Sequence, residues 1–330
     1  MSDAPIDTHF ILAESASTVS PRIDVLMGSL TALCGAVSLG VALTIVVLAV
    51  RYRANARVDR RQPPPNKVGI EIAWTLIPLL IFLGLFGWAA SGFIDLYRVP
   101  ANALPIYVVG KQWMWKLQHR NGRQEINTLH VPVGQPIELI LSSQDVIHSF
   151  FIPAFRVKQD VVPGRYTKLW FEPTRTGDYR LFCSEYCGTA HADMIGHVVV
   201  MTQPDYARWL GEDLQQPSLA RQGEQRFKAL GCSGCHGTGE AGGAVPAPNL
   251  QGLIGRTVHL QDGRSLIADE NYVRDAILLP AKDVVAGYKP LMPSFAGQVT
   301  EEDLVALIAY IGTPSTPVPA AATDAQGPSP

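Results

Sequence analysis

Two long apolar runs near the N-terminus constrain this chain more than any other feature. Val25 to Val50 and Ile72 to Ile94 contain no charged residue. As a helix, the first run would span about 39 Å, which exceeds the roughly 30 Å of a bilayer core. Pro78 lies in the second run, and membrane helices tolerate proline. Since helices this uniformly apolar need lipid around them, the sequence predicts a two-helix transmembrane hairpin over residues 24–99, not a soluble core.

The loop between the runs, residues 51–71, sets the predicted orientation. Before Glu71 at its end, it carries six basic residues against one acid, Asp59, and positive charge in short loops marks the cytoplasmic side. Residues 1–23 and everything after the second span are therefore expected on the periplasmic side of a bacterial-type inner membrane. Residues 1–21 lack a signal-peptide pattern, so the first span is expected to direct insertion. The near-neutral net charge of −2 gives no indication of nucleic-acid binding.

The rest of the chain divides into two regions of different periodicity. Residues 100–205 contain short β-branched and aromatic segments separated by turn formers, which predicts an all-β Greek-key sandwich. After a linker at 206–216, helical spacing predicts an all-α domain over 217–313. Its clearest helix is Thr300 to Ile311, with Thr300 as the cap and three acids in the first turn. The Pro- and Ala-rich tail, 314–330, is expected to be disordered.

A first cluster of metal-binding side chains lies in the β region. Residues 183–194 hold two thiols, an imidazole and a thioether, and another imidazole lies upstream: Cys183, Cys187, His191, Met194 and His148. Such ligands suit copper, zinc or iron–sulfur centres. A disulfide would leave the other side chains without a role, zinc has no use for the thioether, and mononuclear blue copper uses a single cysteine. The residues favour two copper ions bridged by both thiolates.

At these residues the chain resembles cytochrome c oxidase subunit II, whose pattern Cys-x-Glu-x-Cys-x-x-x-His-x-x-Met with an upstream His is matched at every position. The resemblance covers residues 24 to about 210 and implies a cupredoxin-like sandwich with a binuclear CuA centre. The ligands it implies are His148, Cys183, Glu185 through its carbonyl, Cys187, His191 and Met194. In the family the carboxylate at Glu185 also reaches a magnesium ion at the junction with subunit I.

Two further positions take roles from the same resemblance. Trp113, in Gly110-Lys-Gln-Trp113-Met-Trp115, matches the family tryptophan that accepts electrons from the donor, although an ordinary core aromatic would look the same. Glu71 lies at the predicted cytoplasmic edge of the second span, where the family places a carboxylate at a proton-channel entrance. A solvated acid at a helix start is the alternative for Glu71.

A second cluster is the motif Cys232-Ser-Gly-Cys235-His236, which is typical of covalent heme c attachment. Both thiols would bond the porphyrin, and His236 would be the proximal iron ligand. Met292, just before the last helix as in class I cytochromes c, is the expected second axial ligand. His259 is the rival, although its surroundings indicate a surface hairpin. Cys34 and the remaining histidines are interpreted as ordinary packing or surface residues.

Together the domains resemble the caa-type oxidases, in which cytochrome c is fused to subunit II. The resemblance implies a route from an external cytochrome c or respiratory complex to heme c, then to CuA, and then to heme in subunit I for proton-translocating oxygen reduction. The two predicted spans contain no histidine that could bind heme or copper within the membrane, so the oxygen-reducing site is expected in another subunit. The alternatives are the CuA subunit of a membrane nitric oxide reductase and a stand-alone membrane-tethered carrier.

Overall fold

The computed structural model describes residues 14–54, 56–57, 67–211, 217–236 and 247–313. The predicted architecture is confirmed: two apolar helices precede a cupredoxin-like β-sandwich, and a helical domain follows it. The basic residues Arg60 and Arg61 and the tail 314–330 lie outside the described residues. The predicted domain boundaries at 100, 205, 217 and 313 stay predictions.

The two N-terminal helices form a hairpin. Helix α1 is Ser20–Arg51 and helix α2 is Val68–Leu96, and both are long and apolar enough to cross a membrane. They contain the predicted spans 25–50 and 72–94. Arg22 near the start of α1 lies 3.8 Å from Asp95 near the end of α2, so the start of α1 and the end of α2 lie next to each other.

A short segment before α1 is packed on the sandwich. Ala16 is fully buried and donates its amide to the carbonyl of Ala154 at 3.0 Å. The Ser17 hydroxyl donates to the carbonyl of Phe155 at 2.9 Å. At the first turn of α1, Arg156 pairs with Asp24 at 2.7 Å. These contacts join the membrane hairpin directly to the β domain.

Ten strands lie between residues 104 and 201, a range that the structure describes throughout. In chain order they are β1 Leu104–Lys111, β2 Met114–His119, β3 Gln124–Ile126, β4 Thr128–Pro132, β5 Ile137–Ser143, β6 His148–Ile152, β7 Val157–Val161, β8 Thr167–Phe171, β9 Gly177–Cys183 and β10 Ile195–Met201. The first sheet has the order β3-β2-β1-β5-β8 and the second β4-β10-β9-β6-β7. The pairs β1–β5 and β4–β10 are parallel, and the other pairs are antiparallel.

Large side chains from both sheets fill the space between them. Trp115, Phe150 and Phe171 are completely buried there, and the Trp115 ring packs edge-on against Phe150 with centroids 5.0 Å apart. Trp115 also lies edge-on to the ring of His148, 5.9 Å away. Aromatic burial of this kind contributes much of a core's stability, and here it also supports one of the predicted copper ligands.

Helix α3, Gln203–Gly211, closes one end of the sandwich. The structure places residues 206–211, which the sequence assigns to the linker, within this helix, while 212–216 lie outside the described residues. The reason is aromatic packing: Trp209 stacks on His130 with ring centroids 4.5 Å apart. Two ring nitrogens contact the buried carboxylate of Glu125: Nε2 of His119 lies 2.8 Å from Oε1, and Nδ1 of His130 lies 2.5 Å from Oε2. His119 and His130 therefore both take part in a polar cluster around Glu125.

The C-terminal domain is built on the crossing of two helices, α4 Leu219–Ala229 and α6 Glu301–Ile311. A side chain at Gly223 would collide with the carbonyl of Ala306, so glycine permits this close approach. Thr300 and Asp303 form the capping box that begins α6, which confirms the predicted cap. Helix α5, Glu270–Leu278, and a hairpin of β11 Thr257–His259 and β12 Ser265–Ile267 complete the described part of the domain.

Candidate metal and heme centres

The predicted copper ligands converge at one end of the sandwich. His148 is the first residue of β6, and Cys183 is the last residue of β9, its neighbour in the second sheet. Cys187, His191 and Met194 follow on the connection to β10. His148 is fully buried, and Met194 and both thiols are at most 8% exposed. The strands therefore bring together residues that are up to 46 positions apart in the chain.

The donor atoms are within reach of shared metal ions. The two sulfurs lie 3.8 Å apart, far beyond the roughly 2.05 Å of a disulfide. The Nδ1 atom of His148 lies 3.9 Å from the Cys183 sulfur, and that of His191 lies 3.4 Å from the Cys187 sulfur. On the remaining sides are the Met194 sulfur, 3.8 Å from Cys187, and the Glu185 carbonyl, 3.3 Å from Cys183.

This arrangement fits a binuclear copper centre better than its rivals. Metal–sulfur bonds of about 2.3 Å allow one ion to touch both sulfurs across a 3.8 Å separation. One imidazole lies beside each sulfur, and the weak donors Met194 and Glu185 lie on opposite thiols. A mononuclear blue copper site would leave one of the two buried thiols unused. The donor set therefore fits two ions bridged by Cys183 and Cys187.

The two thiols differ in acidity. Burial opposes ionisation of Cys183, but the hydrogen bond with His148 and backbone contacts outweigh it and lower the pKa of Cys183. Burial, and then the charge of the Cys183 thiolate, raise the pKa of Cys187. Without a cation only one of the two sulfurs is readily ionised. A site that uses both thiolates therefore needs positive charge between them.

Asp145 contacts a predicted copper ligand, and it was not singled out from the sequence. Its Oδ1 atom lies 2.8 Å from Nε2 of His148, and its Oδ2 accepts the amide of Gln112 at 2.8 Å. A carboxylate at Nε2 keeps the proton there and leaves Nδ1 free to bind metal. Burial opposes protonation of His148, but the hydrogen bonds with Cys183 and Asp145 outweigh it and raise the pKa of His148 overall. The spacing Asp-x-x-His was the available sequence signal.

Trp113 lies at the tip of the β1–β2 hairpin, directly against the copper loop. Its indole nitrogen donates to the carbonyl of Cys187 at 3.2 Å, and the side-chain amide of Gln112 donates to the same carbonyl at 2.8 Å. The residue remains 36% exposed, so it touches both the site and solvent. That position suits the predicted role and excludes a purely internal core aromatic.

The other two predicted carboxylates occupy different places. Glu185 is exposed beside the copper loop, with its carbonyl turned toward Cys183. Glu71 lies in the first turn of α2, on a different element from the copper ligands, and is exposed along that helix. The roles of Glu185 in magnesium binding and of Glu71 in proton uptake stay predictions.

The heme-attachment motif lies immediately after α4. Cys232 is half-buried at the start of a short 3-10 turn, and Cys235 is exposed. His236 places Nδ1 2.9 Å from the carbonyl of Pro248, which holds the proton at Nδ1 and leaves Nε2 free as a ligand. The neighbouring apolar residues Leu250, Leu253, Ile254 and Met292 are only partly buried against the domain core. These features fit a heme bound through His236.

The two candidates for the second axial ligand differ in position. Met292 is partly buried against the domain core, as are Phe295 and Cys232. His259 is the exposed last residue of β11, and its Nδ1 lies 2.8 Å from the hydroxyl of Ser265 on the same hairpin. The predicted surface hairpin is confirmed, and Met292 is the better placed of the two.

Known proteins share both halves of the chain. Residues 119–202 match the family described as cytochrome C oxidase subunit II, periplasmic domain, and residues 218–311 match cytochrome C oxidase, cbb3-type, subunit III. Cytochrome c oxidase subunit 2 of Alkalihalophilus pseudofirmus is 30% identical over 295 residues, which cover 82% of each protein. The chain belongs to the cytochrome c oxidase subunit 2 family. It carries a cytochrome c domain at its C-terminal end.

Other relatives match the sandwich region. The alternative cytochrome c oxidase subunit 2 of Bradyrhizobium diazoefficiens is 31% identical over 208 residues, covering 52% of this chain and 74% of that protein. The periplasmic domain of subunit II of cytochrome oxidase from Bradyrhizobium japonicum is 33% identical, with a TM-score of 0.33, covering 34% of this chain and 94% of that one. Family membership and the two apolar helices indicate a membrane-bound oxidase subunit, and the two matched domains imply copper and heme c as cofactors.

Proposed function

We propose that this subunit accepts electrons at its cytochrome c domain and passes them through its copper site to heme in subunit I. Oxygen would be reduced to water there, coupled to proton translocation. The observation that carries the proposal is the pairing, in one chain, of six convergent copper donors with a CxxCH domain packed on the same sandwich. A thiolate-bridged copper pair supplies one-electron transfer with little change of geometry.

The residues of the chain hold the two centres in specific ways. Cys183 and Cys187 would bridge the copper ions, and His148, His191, Met194 and the Glu185 carbonyl would complete their coordination. The burial of both thiols, His148 and Met194 limits water access and keeps these ligands fixed, which favours electron transfer over bond-making chemistry. In the C-terminal domain Cys232 and Cys235 would hold heme covalently, with His236 and Met292 as axial ligands.

Other assignments complete the proposal. Trp113 is the point of electron entry to the copper site, and Glu71 serves proton uptake on the cytoplasmic side. Glu185 binds magnesium where this subunit meets subunit I. Both termini and both redox domains lie in the periplasm, because positive charge is concentrated in the loop between the spans. The partners are subunit I, further oxidase subunits, the bilayer and an electron donor, which is a cytochrome c or a respiratory complex.

Time-resolved absorption of the purified complex tests this route. After heme c is reduced photochemically, its reoxidation should coincide with appearance of the reduced copper signal, and steady-state oxygen consumption should follow. Cys187→Ser should abolish the mixed-valence copper signal and heme c reoxidation but leave heme c attached. Cys34→Ser is the matched control, since Cys34 lies on α1 away from the copper ligands. A copper signal that survives Cys187→Ser, or consumption of nitric oxide in place of oxygen, would refute the proposal.

A further inference from the structure

The first sheet of the sandwich is apolar on both faces. Ile106 and Val108 of β1 point into the sandwich, while Tyr107 and Val109 point away from it and are at most 7% exposed. An antiparallel sandwich usually leaves the outer face of a sheet to solvent. Here the outward residues form one buried cluster with the helices of the cytochrome c domain: Tyr107, Val109, Ile140, Tyr166, Leu304, Leu307 and Ile308.

Charged side chains cross the same junction. Lys168 of β8 lies between Glu138 of β5 and Glu270 of α5, 3.1 Å from each. Arg274 of α5 donates to the carbonyl of Gly164 at 2.8 Å, and both Glu270 and Arg274 are at most 8% exposed. A shift between the two domains would leave the buried charges of Glu270 and Arg274 without these partners, so the contacts favour one specific arrangement.

Backbone contacts fix the register of that arrangement. The amide of Tyr166 donates to the Asn271 side chain at 2.7 Å, and the Asn271 side chain donates back to the carbonyl of Tyr166 at 3.2 Å. This reciprocal pair joins the β7–β8 connection to α5 much as two strands are joined. It defines both the position and the orientation of α5 on the sheet.

The junction extends to the loop that supports the copper site. Glu302, at the start of α6, accepts hydrogen bonds from Lys116 at 2.7 Å and from Gln144 at 2.6 Å. Gln144 directly precedes Asp145, whose carboxylate holds His148. The cytochrome c domain therefore contacts the loop that orients one of the proposed copper ligands.

The chain is also held on both sides of residues 212–216. Before them, Asn121 donates to the carbonyl of Leu210 at 3.0 Å, and the Arg123 guanidinium lies 3.9 Å from the centre of the Trp209 ring. After them, the amide of Leu219 donates to the carbonyl of Arg120 at 3.2 Å. Residue 122, between these anchors, is glycine with φ of +97°, and a side chain there would collide with Pro217. The β2–β3 turn thus binds both ends of the connection.

We propose that the cytochrome c domain is a permanently docked module on the outer face of the first sheet, and that this dock fixes heme c relative to the copper site. The inference rests on the proposed electron route and replaces a mobile tether with a fixed geometry. A flexible tether would give an effective concentration of order mM and a docking equilibrium before each transfer. A permanent dock has no such step, so transfer does not depend on ionic strength or viscosity.

Cleavage of the connection in the full-length, heme-loaded complex tests the dock. A protease site introduced within residues 212–216 is cut, and the complex is diluted to about 100 nM, far below tethered concentrations of order mM, before gel filtration in detergent. We expect the heme c fragment to co-elute with the complex and the heme-to-copper rate to stay within about twofold of the uncut value. Separation of the fragment, or a rate that falls on dilution, would overturn the proposal.

Charge reversal at the junction tests its location. In the cut complex, Lys116→Glu places an acid beside Glu302 and should weaken fragment retention about tenfold or more, whereas the double variant Lys116→Glu with Glu302→Lys should restore it. Arg208→Ala, which breaks an exposed pair on α3, is the control and should leave retention unchanged. Equal retention in the single and double variants would overturn this assignment of the docking surface.

The two proposals can fail separately. If heme c in the uncut complex never reduces the copper site, the proposed electron route is wrong whatever the fragment does. If the uncut complex transfers electrons normally but the cut fragment leaves, the route stands and the permanent dock is wrong.

Discussion

The buried pair between Arg274 and Glu301 gives the sharpest stability prediction. Their side chains are 10% and 13% exposed, and the guanidinium lies 2.6 Å from the carboxylate. Arg274→Met keeps most of the apolar stem but removes this contact and the hydrogen bond to Gly164. Glu301 would then retain a single weak partner, the hydroxyl of Ser142 at 3.2 Å.

The expected cost follows from these contacts. Removing one partner of a buried pair costs about 3–5 kcal/mol. Because Glu301 begins α6, the helix dipole stabilises its negative charge by about 0.3–1 kcal/mol, which favours the lower end of that range. In a domain of this size about 3 kcal/mol corresponds to a midpoint at least ~12 °C lower.

Thermal unfolding of the full-length protein, followed through the heme c absorbance, measures this cost. The double variant Arg274→Met with Glu301→Gln should recover part of the lost stability, because it leaves no unpaired charge. Arg208→Ala serves as the control, since its pair with Asp205 is exposed. If Arg274→Met shifts the midpoint no more than Arg208→Ala does, the buried pair does not supply the expected stability.

Three further outcomes are expected. Met292→Ala should leave heme c attached but open its iron to added ligands; an unchanged carbon monoxide difference spectrum would contradict the axial assignment. Asp145→Asn weakens the acceptor on His148 and should raise the reduction potential of the copper site in a redox titration, whereas an unchanged potential would rule out this positioning role. Burial opposes ionisation of Glu125, but its bonds to His119 and His130 lower its pKa overall. Its stabilisation is therefore present above the unfolded value of about 4.3 and is lost as pH falls through the lower folded value. The difference in melting temperature between wild type and Glu125→Gln should shrink below about pH 4, and a constant difference would refute the assignment.

Local patterns in the sequence predicted much of the fold. The two apolar runs lie inside α1 and α2, and Thr300 caps α6 as its spacing to Asp303 indicates. The copper and heme motifs were equally accessible, because most of their donors lie within a few residues of one another. Among the copper donors His148 is the exception, and the strand pairing of β6 with β9 brings it to Cys183.

The contacts that the sequence did not predict are those between distant elements. Lys168 and Glu270 are 102 positions apart, and Tyr166 and Asn271 are 105 apart. No periodicity within either segment identifies the partner, since pairing depends on how two domains fit together. For the same reason His119 and His130 could be interpreted as ordinary, although both bind the buried carboxylate of Glu125.

One signal of the dock was nevertheless present in the sequence. A strand with one solvated face alternates apolar and polar residues, whereas Ile106 to Val109 is continuously apolar. Such a run predicts that both faces of the strand are covered, and the inner face of this sandwich supplies only one cover. The second cover had to come from elsewhere in the chain, and the cytochrome c domain provides it. The first sheet thus packs against the copper-binding sheet on one face and the heme-binding domain on the other. In the proposed dock, the fixed distance between the two redox centres follows from the packing of that one sheet.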